Sequence, residues 1–191
     1  MDTPNQQKRA VFETLFATSY ARVLGFLARN SGQSFIEREI VEGTGVSRSA
    51  VNLATRALLQ TGLLMCEQRG RMNFYAADDH HPFIKQFKVL DTLANLEPLL
   101  EDLRLLTRQV ILFGSCAEGT NTARSDIDMF ILTPERRQVV ALVSRYSSHL
   151  PIQPVIMDNQ ELAVLKEKDV TFHDQIKQGI LLWEAGNELA A

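Results

Sequence analysis

A chain of 191 residues holds one domain or two compact ones. With 45% hydrophobic and 23% charged residues it lies in the ordinary globular range, which excludes a disordered, collagen-like or disulfide-scaffold chain. No apolar run approaches the roughly 18–20 residues that span a bilayer, and the opening MDTPNQQKRA has no apolar stretch followed by a cleavage site; the expectation is a soluble, cytoplasmic protein with no membrane partner.

The formal charge of -3 is unevenly spread. Residues 1–90 carry 11 Lys and Arg against 8 Asp and Glu, a net +3, whereas residues 91–191 carry 9 against 15, a net -6. The halves read as different modules. The mildly basic first is compatible with phosphate contact, and the acidic second suits metal binding or plain solubility. Cys66 and Cys116 sit in no Cys-x-x-Cys or Cys/His cluster, so a zinc site is not expected.

In chain order, apolar residues at near-helical spacing (Val11, Leu15, Phe16, Tyr20, Val23, Leu24, Leu27) predict one or two amphipathic helices between Val11 and Ala28, closed by Asn30-Ser31-Gly32. The same segment carries Phe12, Phe16, Tyr20 and Phe26, more aromatic surface than one small domain hides, which points to a homodimer. Phe35 to Val41 predicts a short helix broken by Gly43-Thr44-Gly45. Ser47 is placed to cap a helix from about Arg48 to Gln60, with Val51, Ala54, Leu58 and Leu59 inward and Arg48, Ser49, Asn52, Thr55 and Arg56 on or near the outer face. Gly62 ends that helix. Leu63 to Gln68 and Arg71 to Ala76 then read as two strands joined by a tight Arg69-Gly70 turn.

Helix, turn, helix and hairpin follow one another. GTGVSRSAVNLATRALLQTGLL followed by EQRGRMNFY resembles the second helix, recognition helix and wing of winged-helix transcriptional regulators, over about residues 20–78. The resemblance implies that Ser47, Arg48, Ser49, Asn52 and Arg56 face the major groove of double-stranded DNA, while Arg69 and Arg71 at the wing tip reach the flanking backbone or minor groove. Short polar side chains near a helix N-terminus reach base edges and phosphates, and long arginines on a hairpin tip follow a charged surface. The competing reading makes them solvated residues of a structural or dimerisation domain.

From His81-Pro82 to about residue 107, apolar residues at three- and four-residue steps predict a helical connector with one interruption at Pro98. His80 and His81 are adjacent and cannot both face one metal, so a loop or helix-start role is expected. The organisation read is therefore a first domain over 1–80, a connector over 81–107 and a second domain over 108–191.

The second domain opens with Gln109-Val-Ile-Leu-Phe-Gly114-Ser115, an apolar run ending in Gly-Ser as a buried strand does before a phosphate-holding turn. Cys116-Ala117-Glu118 can start a short helix with free N–H groups near Ser115, and Cys116 itself reads as a small buried residue rather than a redox switch. Ten residues separate Ser115 from Asp126-Ile-Asp128-Met-Phe-Ile-Leu, where period-two alternation puts Asp126 and Asp128 on one strand face. Paired acids repel unless a cation sits between them, and oxygen ligation beside phosphate is what Mg²⁺ prefers.

Gly-Ser, ten residues, Asp-x-Asp with apolar flanks resembles the DNA polymerase beta-like nucleotidyltransferase superfamily, most closely its minimal nucleotidyltransferase branch. LFGSCAEGTNTARSDIDMFIL is the matching core, and the likeness extends over roughly residues 108–185. The implied fold is a small α/β (α+β) domain with a mixed sheet behind a mainly α winged helix with its hairpin. The implied site has Gly114 and Ser115 holding the nucleoside triphosphate and Asp126 and Asp128, the catalytic pair, binding Mg²⁺ or Mn²⁺. The implied reaction is attack of an acceptor hydroxyl on the α-phosphate with release of pyrophosphate.

Members of the branch also work beside a partner protein in toxin–antitoxin-like pairs. Two positions depart from the pattern. The family's third carboxylate has no counterpart in Leu150-Pro-Ile-Gln153-Pro-Val155-Ile-Met157, where Gln153 or Val155 takes its place depending on register, and Asp158 is the nearest acid. Glu118 stands where many relatives carry an arginine. Two functions remain: a Mg²⁺-dependent nucleotidyltransferase coupled to DNA binding, and a DNA-binding transcriptional regulator or antitoxin-like protein whose second domain senses a nucleotide or binds a partner without turnover.

Overall fold

The computed structural model describes residues 17–186, so Val11, Phe12, Leu15 and Phe16 lie outside the described residues. The chain divides into two compact units, Met1–Ala94 with Gly119–Ala123, and Asn95–Glu118 with Arg124–Ala191.

In the first unit, α1 (Ser19–Arg29) starts at Thr18, whose hydroxyl accepts from Ala21 N. Helix α2 (Glu37–Thr44) begins where Glu39 accepts from Ile36 N at 2.9 Å. It runs through Gly43 and Thr44 and stops only at Gly45, later than the sequence suggests, because Gly45 alone of the three takes the left-handed C-terminal position. Helix α3 (Arg48–Gln60) starts at Ser47 as expected, with Ser47 Oγ accepting from Ala50 N. Thr55 is fully buried instead of outward, which costs little because its hydroxyl donates to Asn52 O at 3.1 Å.

Strands β1 (Leu64–Arg69) and β2 (Met72–Ala77) pair antiparallel from Leu64 opposite Ala77 to Arg69 opposite Met72. The turn is therefore Gly70-Arg71, one residue later than predicted. A φ of +64° at its first position is one that glycine alone adopts freely. Phe35 bridges to Tyr75 through two 2.8 Å backbone hydrogen bonds, which ties the start of α2 to the hairpin. Val23, Leu27, Ile40, Val51, Ala54, Leu58, Leu64 and Tyr75 form the core. The Phe26 ring packs edge-on against Phe35 at 4.9 Å and fills space over Gly43, so this aromatic is used inside the unit.

Helix α4 (Pro82–Arg104) starts with His81 Nδ1 accepting from Phe83 N at 3.1 Å, and it runs unbroken through Pro98. The expected interruption is absent. A proline removes one backbone hydrogen bond, and buried Leu96, Leu99, Leu100 and Leu103 hold the helix across the gap. Two ion pairs, each with one buried member, brace the first unit. Arg29 donates twice to Asp91 at 2.7 Å, and Lys88 reaches Asp79 at 2.9 Å, Ser31 Oγ at 2.8 Å and Asn121 O at 2.9 Å.

The second unit is built on a mixed sheet of β3 (Gln109–Phe113), β4 (Ile127–Leu132), β5 (Ile152–Met157) and β6 (Ile180–Glu184), in the order β5-β4-β3-β6. β3 is antiparallel to β4 and β6, and β4 is parallel to β5. Between the strands come α5 (Gly114–Glu118), α6 (Arg136–Arg145), α7 (Asn159–Lys168) and α8 (Val170–Lys177). Alternation leaves Ile111, Phe113 and Phe130 on one sheet face, where they pack with Val155, Leu162, Leu165, Phe172 and Ile176. No helix among the described residues is long and apolar enough to cross a membrane.

Candidate functional site

The apolar face of the sheet ends at Asp128. Phe113 of β3 is paired with Asp128 of β4, and the chain turns at the next residue, Gly114, into α5. Gly114 has φ +68°, and a Cβ there would overlap Asp128 Oδ2. Two independent constraints thus require glycine, a left-handed backbone and a carboxylate lying against the α-carbon. Ser115 follows, half-buried in the first turn of α5. The helix begins at Gly114, earlier than the expected Cys116, and Cys116 is fully buried with its thiol donating to Asp126 O. That contact pins the residue before β4, so Cys116 acts as a packing residue.

Asp126 stands immediately before β4 and Asp128 within it, both half-buried. Burial first, and then the charge of Asp126, push the Asp128 carboxyl above the ordinary carboxylate range. The charge of Asp126 thus acts on Asp128, although Asp126 stands just before the strand that alternation expects to carry both. A hollow of about 270 Å³ opens beside Asp128, lined by Phe113, Gly114, Ala117, Glu118, Asp128, Gln175, Gln178 and Gly179. No lysine or arginine lines it, and Glu118 at its wall is exposed. An anionic ligand would meet only negative or neutral side chains, so polyphosphate needs an accompanying cation.

The donor set fits one divalent cation. Two adjacent carboxylates, one of them disfavoured as an anion in isolation, supply hard oxygen ligands, and the remaining positions would be taken by phosphate and water. It does not fit a carboxylate triad. In the parallel pairing Gln153 lies opposite Asp128 and Val155 opposite Phe130, so the register places Gln153 where a third acid would stand. Asp158 is excluded as a substitute. It lies five residues further along, about 16 Å at strand spacing, lines a different hollow with Arg108 and Thr133, and accepts from Gln160 N and Glu161 N at 2.8 Å as the cap of α7. No group of three or more His, Cys, Asp or Glu able to hold a metal occurs among the described residues.

A family model described as "Polymerase beta, Nucleotidyltransferase" matches residues 85–188, more than half of the chain. The chain belongs to the polymerase beta nucleotidyltransferase family. No curated protein sequence matches it. Among solved structures, a Sulfolobus solfataricus protein assigned as a nucleotidyltransferase is 20% identical, over 53% of this chain and 87% of that one, with a TM-score of 0.37. The archaeal chromatin protein TrmBL2 is 13% identical over 88% of this chain and 76% of that one, with a TM-score of 0.32. Human N-acetylserotonin methyltransferase is 17% identical over 54% and 34%, with a TM-score of 0.31.

The match of this nucleotidyltransferase domain spans Gly114, Ser115, Asp126 and Asp128. Gln175 and Gln178, which line the hollow from α8, carried no sequence signal because they come from an element some fifty residues downstream of the motif.

In the first unit, Arg48, Ser49 and Arg56 are exposed on the outer face of α3, and Ser47 caps it. Asn52 is half-buried and donates to Glu37 Oε1 at 2.7 Å, while Arg48 lies 4.0 Å from Glu37 Oε2. On the hairpin, Arg71 is exposed at the turn; Arg69 is paired with Glu67 at 2.6 Å and stacked over the Phe74 ring at 4.7 Å. Glu37 and the exposed Leu53 were missed from the sequence. Neither is distinguishable from a surface residue until the two helices are seen side by side.

Proposed function

We propose that the chain is a Mg²⁺-dependent nucleotidyltransferase that moves a nucleoside monophosphate from a nucleoside triphosphate to an acceptor, and that its first unit is a winged helix binding duplex DNA. The observation that carries the first part is the Asp128 carboxylate lying against Gly114 with Asp126 beside it. Asp126 and Asp128 would hold the metal, which when bound neutralises phosphate charge and stabilises the attacking and leaving oxygens. The residues of the chain do the rest. The Gly114-Ser115 turn presents backbone without a side chain in the way, so the triphosphate can approach the carboxylates closely. Gln175 and Gln178 offer carboxamide donors and acceptors from the opposite wall.

The order of α1 to α3 and the β1–β2 hairpin, with Arg48, Arg56 and Arg71 exposed, supports the DNA-binding part. One observation favours a second reading. Because Gln153 is paired with Asp128, no carboxylate stands at that position to take the acceptor proton, which suits a nucleotide-sensing or partner-binding regulator without turnover. Incubation with α-labelled nucleotide, Mg²⁺ or Mn²⁺ and cell extract separates the two. Label transfer that disappears in Asp128→Asn supports the enzyme, and confirmed nucleotide binding without transfer selects the regulator.

A further inference from the structure

The outer face of α3 carries a pattern more specific than positive charge. Arg48, Asn52 and Arg56 recur at four-residue steps, and Ser49 and Leu53 form the adjoining row. Leu53 is 59% exposed on a helix whose other apolar side chains turn inward. Asn52 does not rotate freely. A Glu37 carboxylate only accepts hydrogen bonds, so the 2.7 Å contact forces the amide nitrogen of Asn52 toward Glu37 and fixes which side of the carboxamide carries the oxygen. One N–H is used there. The carbonyl oxygen and the second N–H remain.

An acceptor beside a donor matches the major-groove edge of adenine, whose N6 amino group donates and whose N7 accepts. The apolar neighbour matches the other half of such a pair or step, since thymine alone among the bases presents a methyl group in that groove. Flanking Arg48 and Arg56 supply charge complementary to phosphate.

We infer that α3 reads an A·T-containing major-groove site, with Asn52, held by Glu37, pairing with adenine and Leu53 packing on a thymine methyl. The inference rests on the duplex-binding reading above and names its specificity. Glu37 is a positioning residue in this account, since it acts through Asn52.

The test is enrichment of bound sequences from a pool of random duplexes by the full chain, followed by binding of single duplexes. The wild type is expected to select a position occupied by adenine, and Asn52→Ala to lose the preference at that position by about tenfold or more. Glu37→Gln, which frees the amide to turn over, is expected to relax the same position. Replacing the contacted thymine with uracil should weaken the wild type but leave Leu53→Ala unaffected. Melting curves matching the wild type show that the variants are folded. Selection unchanged in Asn52→Ala, or mixed-sequence binding with no preferred base, overturns the inference and leaves DNA binding standing. A wild type that retains no duplex removes both.

Discussion

Gln153 stands opposite Asp128 across the parallel pair of β5 and β4. The β5 position beside Asp128 therefore carries a neutral carboxamide and adds no charge to the two aspartates. Placing an acid there increases the number of charged oxygen ligands, which raises divalent-ion affinity. Gln153→Asp is expected to tighten Mn²⁺ binding by about tenfold, read by paramagnetic titration. Unchanged affinity would show that the side chain at this register does not reach the ion.

The raised Asp128 carboxyl makes metal-free stability depend on pH with a definite sign. The folded chain holds this proton to higher pH than the unfolded chain, whose carboxyl titrates near 3.8. In the window from that value up to the folded one, the folded state binds more protons, so stability falls as pH rises and stays reduced above it. Asp128→Asn removes the loss. With chelator present, the variant should melt above the wild type at neutral pH and the two should converge in acid. Added Mg²⁺ should raise the wild-type melting temperature alone.

Gly114→Ala tests the turn. A left-handed alanine costs about 1–2 kcal/mol, and the added methyl overlaps Asp128 Oδ2, so one of the two must move. The expected result is a small drop in melting temperature and a large loss of metal–nucleotide affinity. Equal affinity in the folded variant would show that the carboxylate does not need this approach.

Asp91 is 4% exposed and accepts two hydrogen bonds from Arg29, whereas Arg38 and Glu42 form an open pair along α2. Removing the fork takes two charge-assisted hydrogen bonds from a buried carboxylate, each worth about 1.5–3 kcal/mol, while an exposed helical pair is worth about 0.3–0.5 kcal/mol. Urea unfolding should therefore show a large loss for Arg29→Met and almost none for Arg38→Met. Similar losses for both would contradict the burial argument.

What the sequence made legible is what local chemistry specifies. Ser47 as a cap, the span of α3, the hairpin and the Gly114-Ser115 to Asp126 spacing each depend on neighbours close in the chain. The differences arise where a local choice has two solutions or where tertiary packing decides. Thr55 turned inward because it bonds its own helix, α4 crossed Pro98 because buried leucines hold both sides, and the hairpin turn shifted one residue because Gly70 takes the strained first position. The choice between Gln153 and Val155 could not be made without the β4–β5 register, which no local pattern encodes. The α8 wall of the hollow and the Glu37–Asn52 contact belong to the same class, since both join residues that only the fold brings together.

The most direct test is calorimetric titration of a nucleoside triphosphate with Mg²⁺ into the wild type and into Asp126→Ala/Asp128→Ala. The two-aspartate site predicts saturable binding to the wild type, none without the metal, and none to the folded double variant. Equal affinity in both proteins would contradict it.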